Sequence, residues 1–155
     1  MDHTVLHRRL APDLSTAMIY ALLRLRVAVF VVEQDRPYQE LDGRDLDRLT
    51  RHYWLAPPDA IEDPQATLRL LEPADDQFRI DRVCTAPQAR GVGGMRRLVE
   101  AALGEVGDAA CVVDVPLDCV ELFSAFGFVV DGAQTIAGGG IVEVPMHRDA
   151  SARIR

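Results

Sequence analysis

The chain lacks any apolar run approaching the ~20 residues that a membrane-spanning helix needs. Its opening segment, MDHTVLHRRL, lacks the apolar core of a secretory signal. Both absences point to a soluble, cytoplasmic protein with no membrane partner. Cysteine is scarce: Cys84, Cys111 and Cys119 make an odd count of three, show no C-x-x-C spacing and fall in segments expected to be buried. They read as reduced thiols rather than as a disulfide framework or a zinc site. The four histidines, His3, His7, His52 and His147, form no H-E-x-x-H pattern, so no metal is expected. Positive charge is in deficit, 17 basic against 24 acidic residues for a net charge of −7, which opposes non-specific attraction to nucleic acid. There is no internal repeat.

What is present is an ordinary globular composition, 48% hydrophobic and 26% charged over 155 residues. That length suits one domain, residues 1–155, with a core that needs no covalent staple, and about 149–155 read as a frayed tail. Residues 3–8 alternate weakly, as an edge strand does. Ala11–Asp13 then turn the chain, and Ser15 is placed to cap a helix whose apolar stripe is Met18, Leu22, Leu25 and Val29. Pro37, Pro57 and Pro58 punctuate an irregular region with a short helix expected within 45–50. Ala66, Leu68 and Leu70 alternate with Thr67 and Arg69, the pattern of a half-buried strand. In the next strand Phe78 and Ile80 keep the alternation, but Val83 breaks its parity. One extra residue predicts a β-bulge, a device found beside ligand sites.

A helix over about 95–104 turns Leu98, Val99, Ala102 and Leu103 inward, and 110–115 reads as a central strand buried on both faces. Residues 118–126 read as a helix stopped by Gly127, and 128–131 with 141–147 close the sheet as a hairpin around Gly138–Gly140.

The most informative stretch is CTAPQARGVGGMRRLVEAAL, Cys84 to Leu103. Pro87 stops a strand, Gly91, Gly93 and Gly94 let backbone approach a ligand, and the following helix opens with Arg96 and Arg97. Unpaired first-turn amides and the positive end of the helix dipole make such a turn an anion site. Spacing selects among phosphate binders. No lysine lies near the turn, which excludes a Walker A loop, and Arg96 stands where the third glycine of G-x-G-x-x-G belongs. The alternative is a glycine-rich turn with no ligand.

What remains, R-G-x-G-x-x-R-R-L from Arg90 to Leu98, resembles the acyl-coenzyme A loop of the GCN5-related N-acetyltransferase (GNAT) superfamily, R/Q-x-x-G-x-G/A. Upstream, Arg26–Gln34, Pro37–Glu40 and Asp42–Asp45 resemble the ElaA-type branch, which reads R-x-x-V-F-V-V-E-Q, P-Y-x-E and D-G-x-D. RVCTAP before the loop, AFGFVVDG after the last helix and GIVEVPM near the end extend the likeness over almost the whole chain. The resemblance implies an α/β (α+β) GNAT fold: a single mixed, mostly antiparallel sheet of six to seven strands with a splayed central pair, flanked by about four helices. It implies acetyl-coenzyme A as cosubstrate and a cationic amine, small molecule or peptide, as acceptor. The oligomeric state stays open, a homodimer being one option.

By the same resemblance, the pyrophosphate rests on amides of Gly91, Val92, Gly93, Gly94, Met95 and Arg96, with Arg90 alongside. The thioester carbonyl faces the N–H groups of Val83, Cys84 and Thr85, donors suited to an oxyanion. The amine attacks directly. Cys84 reads as a small core residue, because no histidine is placed to activate it. An alkylammonium has a pKa of about 10, so some group must take its proton. Glu33 and Glu40 lead, Asp81 follows, and each also fits a structural carboxylate. Six acids against two arginines between Glu33 and Asp47 suit a cationic acceptor and equally suit a solvated surface.

Several positions depart from the pattern. Met95 stands where the loop's last glycine or alanine belongs, preceded by Gly94 where Leu or Ile is usual; a shifted reading, Gln88-x-x-Gly91-x-Gly93, restores the motif but spoils the match at Leu98. Phe123 replaces the tyrosine that protonates the departing thiolate in many relatives. Ser124 is the only adjacent hydroxyl, since Tyr20, Tyr38 and Tyr53 all lie in the first third. Pro116 and Val120 replace glutamines, and Glu143 a histidine. These changes fit an altered acceptor or a catalytically silent acyl-coenzyme A-binding module; an interaction domain with no cofactor is a third reading.

Overall fold

A computed structural model describes residues 3–151. Eight strands form one sheet in the order β1-β2-β3-β4-β5-β8-β6, with β7 also on β8. They are β1 Val5–Leu10, β2 Arg51–Ala56, β3 Ala66–Ala74, β4 Gln77–Thr85, β5 Ala110–Pro116, β6 Val129–Val130, β7 Thr135–Ile136 and β8 Val142–Arg148. Every pairing is antiparallel except β4 with β5. The helices are α1 Thr16–Val27, α2 Gly94–Val106 and α3 Val120–Ala125. The sheet thus has more strands than the six to seven expected. In place of a fourth helix, α1 runs on into a π-helical turn, Ala28–Glu33, and short 3-10 turns fill several connections.

Local chemistry sets the elements as the patterns predict. Ser15 caps α1, its hydroxyl accepting from the Met18 amide at 3.1 Å. Leu98, Val99, Ala102, Leu103 and Val106 of α2 pack on Tyr53, Leu68, Leu70 and Ile80, each such side chain contributing about 1.5–3 kcal/mol. On the sheet's other face, α1 places Met18 and Leu22 against Trp54 and Ala56. Gly127, at φ +91, ends α3 in the left-handed conformation.

Three expectations change. Thr67 and Arg69 do not face solvent: both are 1% exposed, because α1 and the following loop cover that face of β3. Conversely β5 is buried on one face only, through Cys111, Val113 and Val115, while Asp114 is exposed, since nothing covers it as α1 covers β3. The helix expected within 45–50 shrinks to a 3-10 turn at Arg44–Leu46. Of the tail, 152–155 lie outside the described residues, and the Ser151 amide donates to the Asp108 carbonyl at 3.0 Å.

Candidate active site

The parity break in β4 is a bulge. Thr67 pairs with Cys84 and Arg69 with Asp81, so Arg82 and Val83 together oppose Leu68, and Arg82 takes a φ of +50°. The parallel pairing of β4 with β5 runs from Gln77↔Ala110 only to Ile80↔Val113. Beyond it the two strands part around a cavity of about 1150 Å³. Asp81–Thr85 form one wall, Val113–Pro116 the other, and Gly91, Gly93, Gly94, Met95 and Arg96 the rim at the start of α2. Phe30, Glu33, Arg36 and Tyr38 close it from the α1 side, and Ile141 and Glu143 from β8.

The rim is built for an anion. Gly91 and Gly93 have φ of +83° and +82°, and Gly93 caps α2 with no side-chain bond. Among the described residues no backbone acceptor outside the helix takes the amides of Gly91 through Arg96; the first such bond is Arg97 to the Gly93 carbonyl at 3.1 Å. Gly94 is buried, and a Cβ there would meet Leu55 Cδ1 at 3.2 Å, so a larger residue would require the Leu55 side chain to shift. Val92 is exposed and does not line the cavity. The arginines are engaged: Arg90 pairs with Glu33 at 2.7 Å, Arg96 lies 5.3 Å above the Phe126 ring, and Arg97 bonds Thr4.

Residues matched upstream assemble a buried ionic network. Arg26 bonds Asp45 and, at 2.8 Å, Glu40. Arg69 bonds Asp81 at 2.7 Å, Asp42 at 2.9 Å and Asp45 at 3.1 Å. Arg82 reaches Glu40 at 3.0 Å. The acidic run divides: Glu40 and Asp45 are buried and neutralised by arginines from α1, β3 and β4, whereas Glu33, Asp35, Asp42 and Asp47 are exposed, as a solvated surface would be. Hydrogen bonds from Arg69 hold the Asp42 carboxyl well below the usual carboxylate range.

Glu33, Glu40 and Asp81 all sit at or near the cavity, yet each already holds an arginine. Glu143 does not. It faces away from the buried Val144 and Met146, opposite Pro116 of β5, and binds no arginine within the described residues. Burial, then the neighbouring Asp114, raise its pKa. Asp114 itself pairs with Arg79 at 2.8 Å.

Ser124 is exposed on the outer side of α3 and does not line the cavity, because the adjacent Phe123 takes the inward position and one helical step turns the next residue away. Phe123 is buried edge-to-face with Phe128 at 5.5 Å. Tyr38, remote in sequence, lines the cavity as Thr85 does, carried there by the loop after the π-helical turn; burial, then Glu40, raise its pKa, so it stays protonated at neutral pH. Cys84 is 3% exposed and burial pushes its thiol up to about 12, which removes the thiolate a nucleophile needs. Among the described residues no group of His, Cys, Asp and Glu has a metal-holding arrangement, and no helix is long and apolar enough to cross a membrane.

No protein-family model matches the chain. A UPF0039 protein of Mycobacterium tuberculosis is 47% identical over 152 residues, 96% of each chain. Protein ElaA of Escherichia coli is 35% identical over 143 residues, 88% of this chain and 91% of ElaA. The crystal structure of Escherichia coli ElaA is similar with a TM-score of 0.82 over 94% of this chain and 99% of its own, at 28% identity in the structural alignment. A crystal structure of an acyl-CoA N-acyltransferase from Pseudomonas aeruginosa gives a TM-score of 0.83 at 32% identity over the same shares. The relatives cover nearly the whole length of the chain in sequence and in structure, and the protein belongs to the ElaA-like branch of the GNAT superfamily.

Proposed function

We propose that the protein transfers an acetyl group from acetyl-coenzyme A to a primary amine by direct attack. The observation that carries this reading is the row of unpaired amides from Gly91 to Arg96 at the mouth of the cavity between β4 and β5. Family membership and the Pseudomonas neighbour, named an acyl-CoA N-acyltransferase, support it. Diphosphate binds the rim, pantetheine runs along the open edge of β4, and the thioester lies against Val83–Thr85. Acceptor ammonium gives a proton to Glu143, the nitrogen attacks the thioester carbon, and the oxyanion is met by main-chain N–H groups. As the intermediate collapses, the C–S bond breaks, coenzyme A leaves as thiolate and takes up the surplus proton of the new amide nitrogen, and Glu143 returns its own proton to solvent.

Glu143 serves as base in preference to Glu33, Glu40 and Asp81, because each of those would have to give up an arginine to bind a proton. Its raised pKa brings it closer to that of the amine. Activity then needs the carboxylate form, so turnover rises with pH through an acid limb displaced above the ordinary carboxyl value of about 4.3. Glu143→Gln should lower kcat/KM by about 10²- to 10⁴-fold and abolish that limb. An unchanged profile would assign the proton to another group.

Calorimetric titration with acetyl-coenzyme A, followed by thiol release over polyamines, amino acids and peptides, tests the whole reading. Binding with no turnover on any amine would favour a second reading, a silent acyl-coenzyme A-binding module, to which Phe123 gives specific support: an apolar ring fills the place of an acid.

A further inference from the structure

Among the described residues three arginines are buried, and one of them has no carboxylate in contact. Arg26 and Arg69, each 1% exposed, are held by two and three carboxylates. Arg36, 8% exposed, has none within 4.0 Å among the described residues. Its Nη1 donates to Gln34 Oε1 at 3.0 Å, its guanidinium lies 4.8 Å above the Tyr38 ring, and its Nε is buried with no acceptor. A guanidinium does not deprotonate to relieve burial, and an uncompensated buried charge costs several kcal/mol.

Arg36 is also enclosed by design of the backbone. At Gly139, φ +77°, a Cβ would stand 2.5 Å from Arg36 Nε and 2.7 Å from its Cβ, so only glycine lets the turn before β8 fold over this side chain. The same turn leads into Glu143, and both residues line the cavity. The cavity therefore holds Arg36 and Glu143, which form no ion pair within 4.0 Å among the described residues, with each other or with another group, although the charges of Arg36, Arg82 and Arg79 reach Glu143.

We propose that Arg36 binds a carboxylate of the acceptor, so that the substrate is a zwitterionic amine, an amino acid or a closely related carboxylate-bearing amine, whose ammonium meets Glu143. The proposal deepens the transferase reading and rests on it. A polyamine would place further positive charge beside Arg36, Arg79 and Arg82, which makes it the poorer fit.

The test uses the twenty amino acids, their carboxamides and their decarboxylated amines, measured on the wild-type protein as kcat/KM for thiol release and as Kd for the coenzyme A-bound form. At least one amino acid should exceed its carboxamide by about 10- to 100-fold, the range of a charge-assisted hydrogen bond, with the difference in KM rather than kcat. Arg36→Gln should reduce that ratio to about one, and Arg36→Lys should retain part of it. If Arg36→Gln fails to fold, the wild-type ratio and Arg36→Lys decide. Carboxamides that bind and react as well as every amino acid, or a preference that survives Arg36→Gln, would overturn the assignment alone. Failure to bind coenzyme A would overturn the transferase reading and this one with it.

Discussion

Gly93→Trp is expected to abolish acetyl-coenzyme A binding while leaving the protein folded. Gly93 has φ +82°, where a side chain is strained by about 1–3 kcal/mol, but a Cβ there meets no atom within 4 Å. The cost to the fold is therefore mainly conformational, since the Cβ itself meets open space, and a chain of this size should lose about 2–4 °C per kcal/mol. The cost to the ligand is much larger. An indole at the N-cap of α2 occupies the approach to the very amides that lack partners, and it turns the rim away from the diphosphate. Wild-type protein at 100 times Kd should gain about 2.7 kcal/mol of stability from the ligand; the variant should gain none, with an unchanged circular dichroism spectrum. Wild-type affinity in Gly93→Trp would remove the loop assignment and the mechanism built on it.

How much of this was legible in the sequence depends on how local the cause is. The bulge was readable because one residue out of parity, Val83 after Ile80, needs only a period of two to detect. The anion rim was readable because glycines and the helix start adjoin. Burial on the second face of a strand was not. Thr67 and Arg69 look outward by alternation, and only the docking of α1 and the loop carrying Asp42 and Asp45 hides them. β5 erred in the opposite direction: its apolar run suggested two covered faces, yet only Cys111, Val113 and Val115 enter the core and Asp114 and Pro116 stay exposed.

The site residues that were missed share one property. Tyr38 and Arg36 lie in a loop with no periodicity, so nothing in their spacing says that they return to the sheet. Glu143 gave half a signal. Alternation with Val144 and Met146 places it away from the core, but that its face is the cavity's requires the β5–β8 register, Pro116↔Glu143. Conversely, Glu40 and Asp81 drew attention as carboxylates in matched motifs, and their partners explain the match differently: they tie the acceptor-side loop to the sheet.

That tie should dominate the stability of the molecule. Arg26→Met is expected to cost about 3–5 kcal/mol, the range for removing one partner of a buried ion pair, and to lower Tm by about 6–20 °C. All 17 basic residues are arginines, and here the planar fork matters, since Arg26 spans Glu40 and Asp45 at once; Arg26→Lys keeps the charge but not the double contact and should fall between. Acid should expose the same network. Burial opposes ionisation of Asp45, yet the bond from Arg26 together with the charges of Arg26, Arg69 and His52 outweighs it and its pKa falls, as does that of Asp42 under Arg69. Groups with depressed folded pKa values contribute fully above their unfolded value of about 3.9 and lose that contribution as pH drops towards the folded one. The wild type should therefore weaken below about pH 4, and Arg26→Met should show a smaller loss between pH 7 and pH 3, because Asp45, left with Arg69 alone, gains less from ionising. Urea titrations at the two pH values measure both effects. A variant as stable as wild type at pH 7 would mean that Arg82 and Arg69 suffice to neutralise Glu40 and Asp45. Arg26 would then serve to fix where the loop bearing Arg36 and Tyr38 lies, and its loss would show in acceptor KM alone.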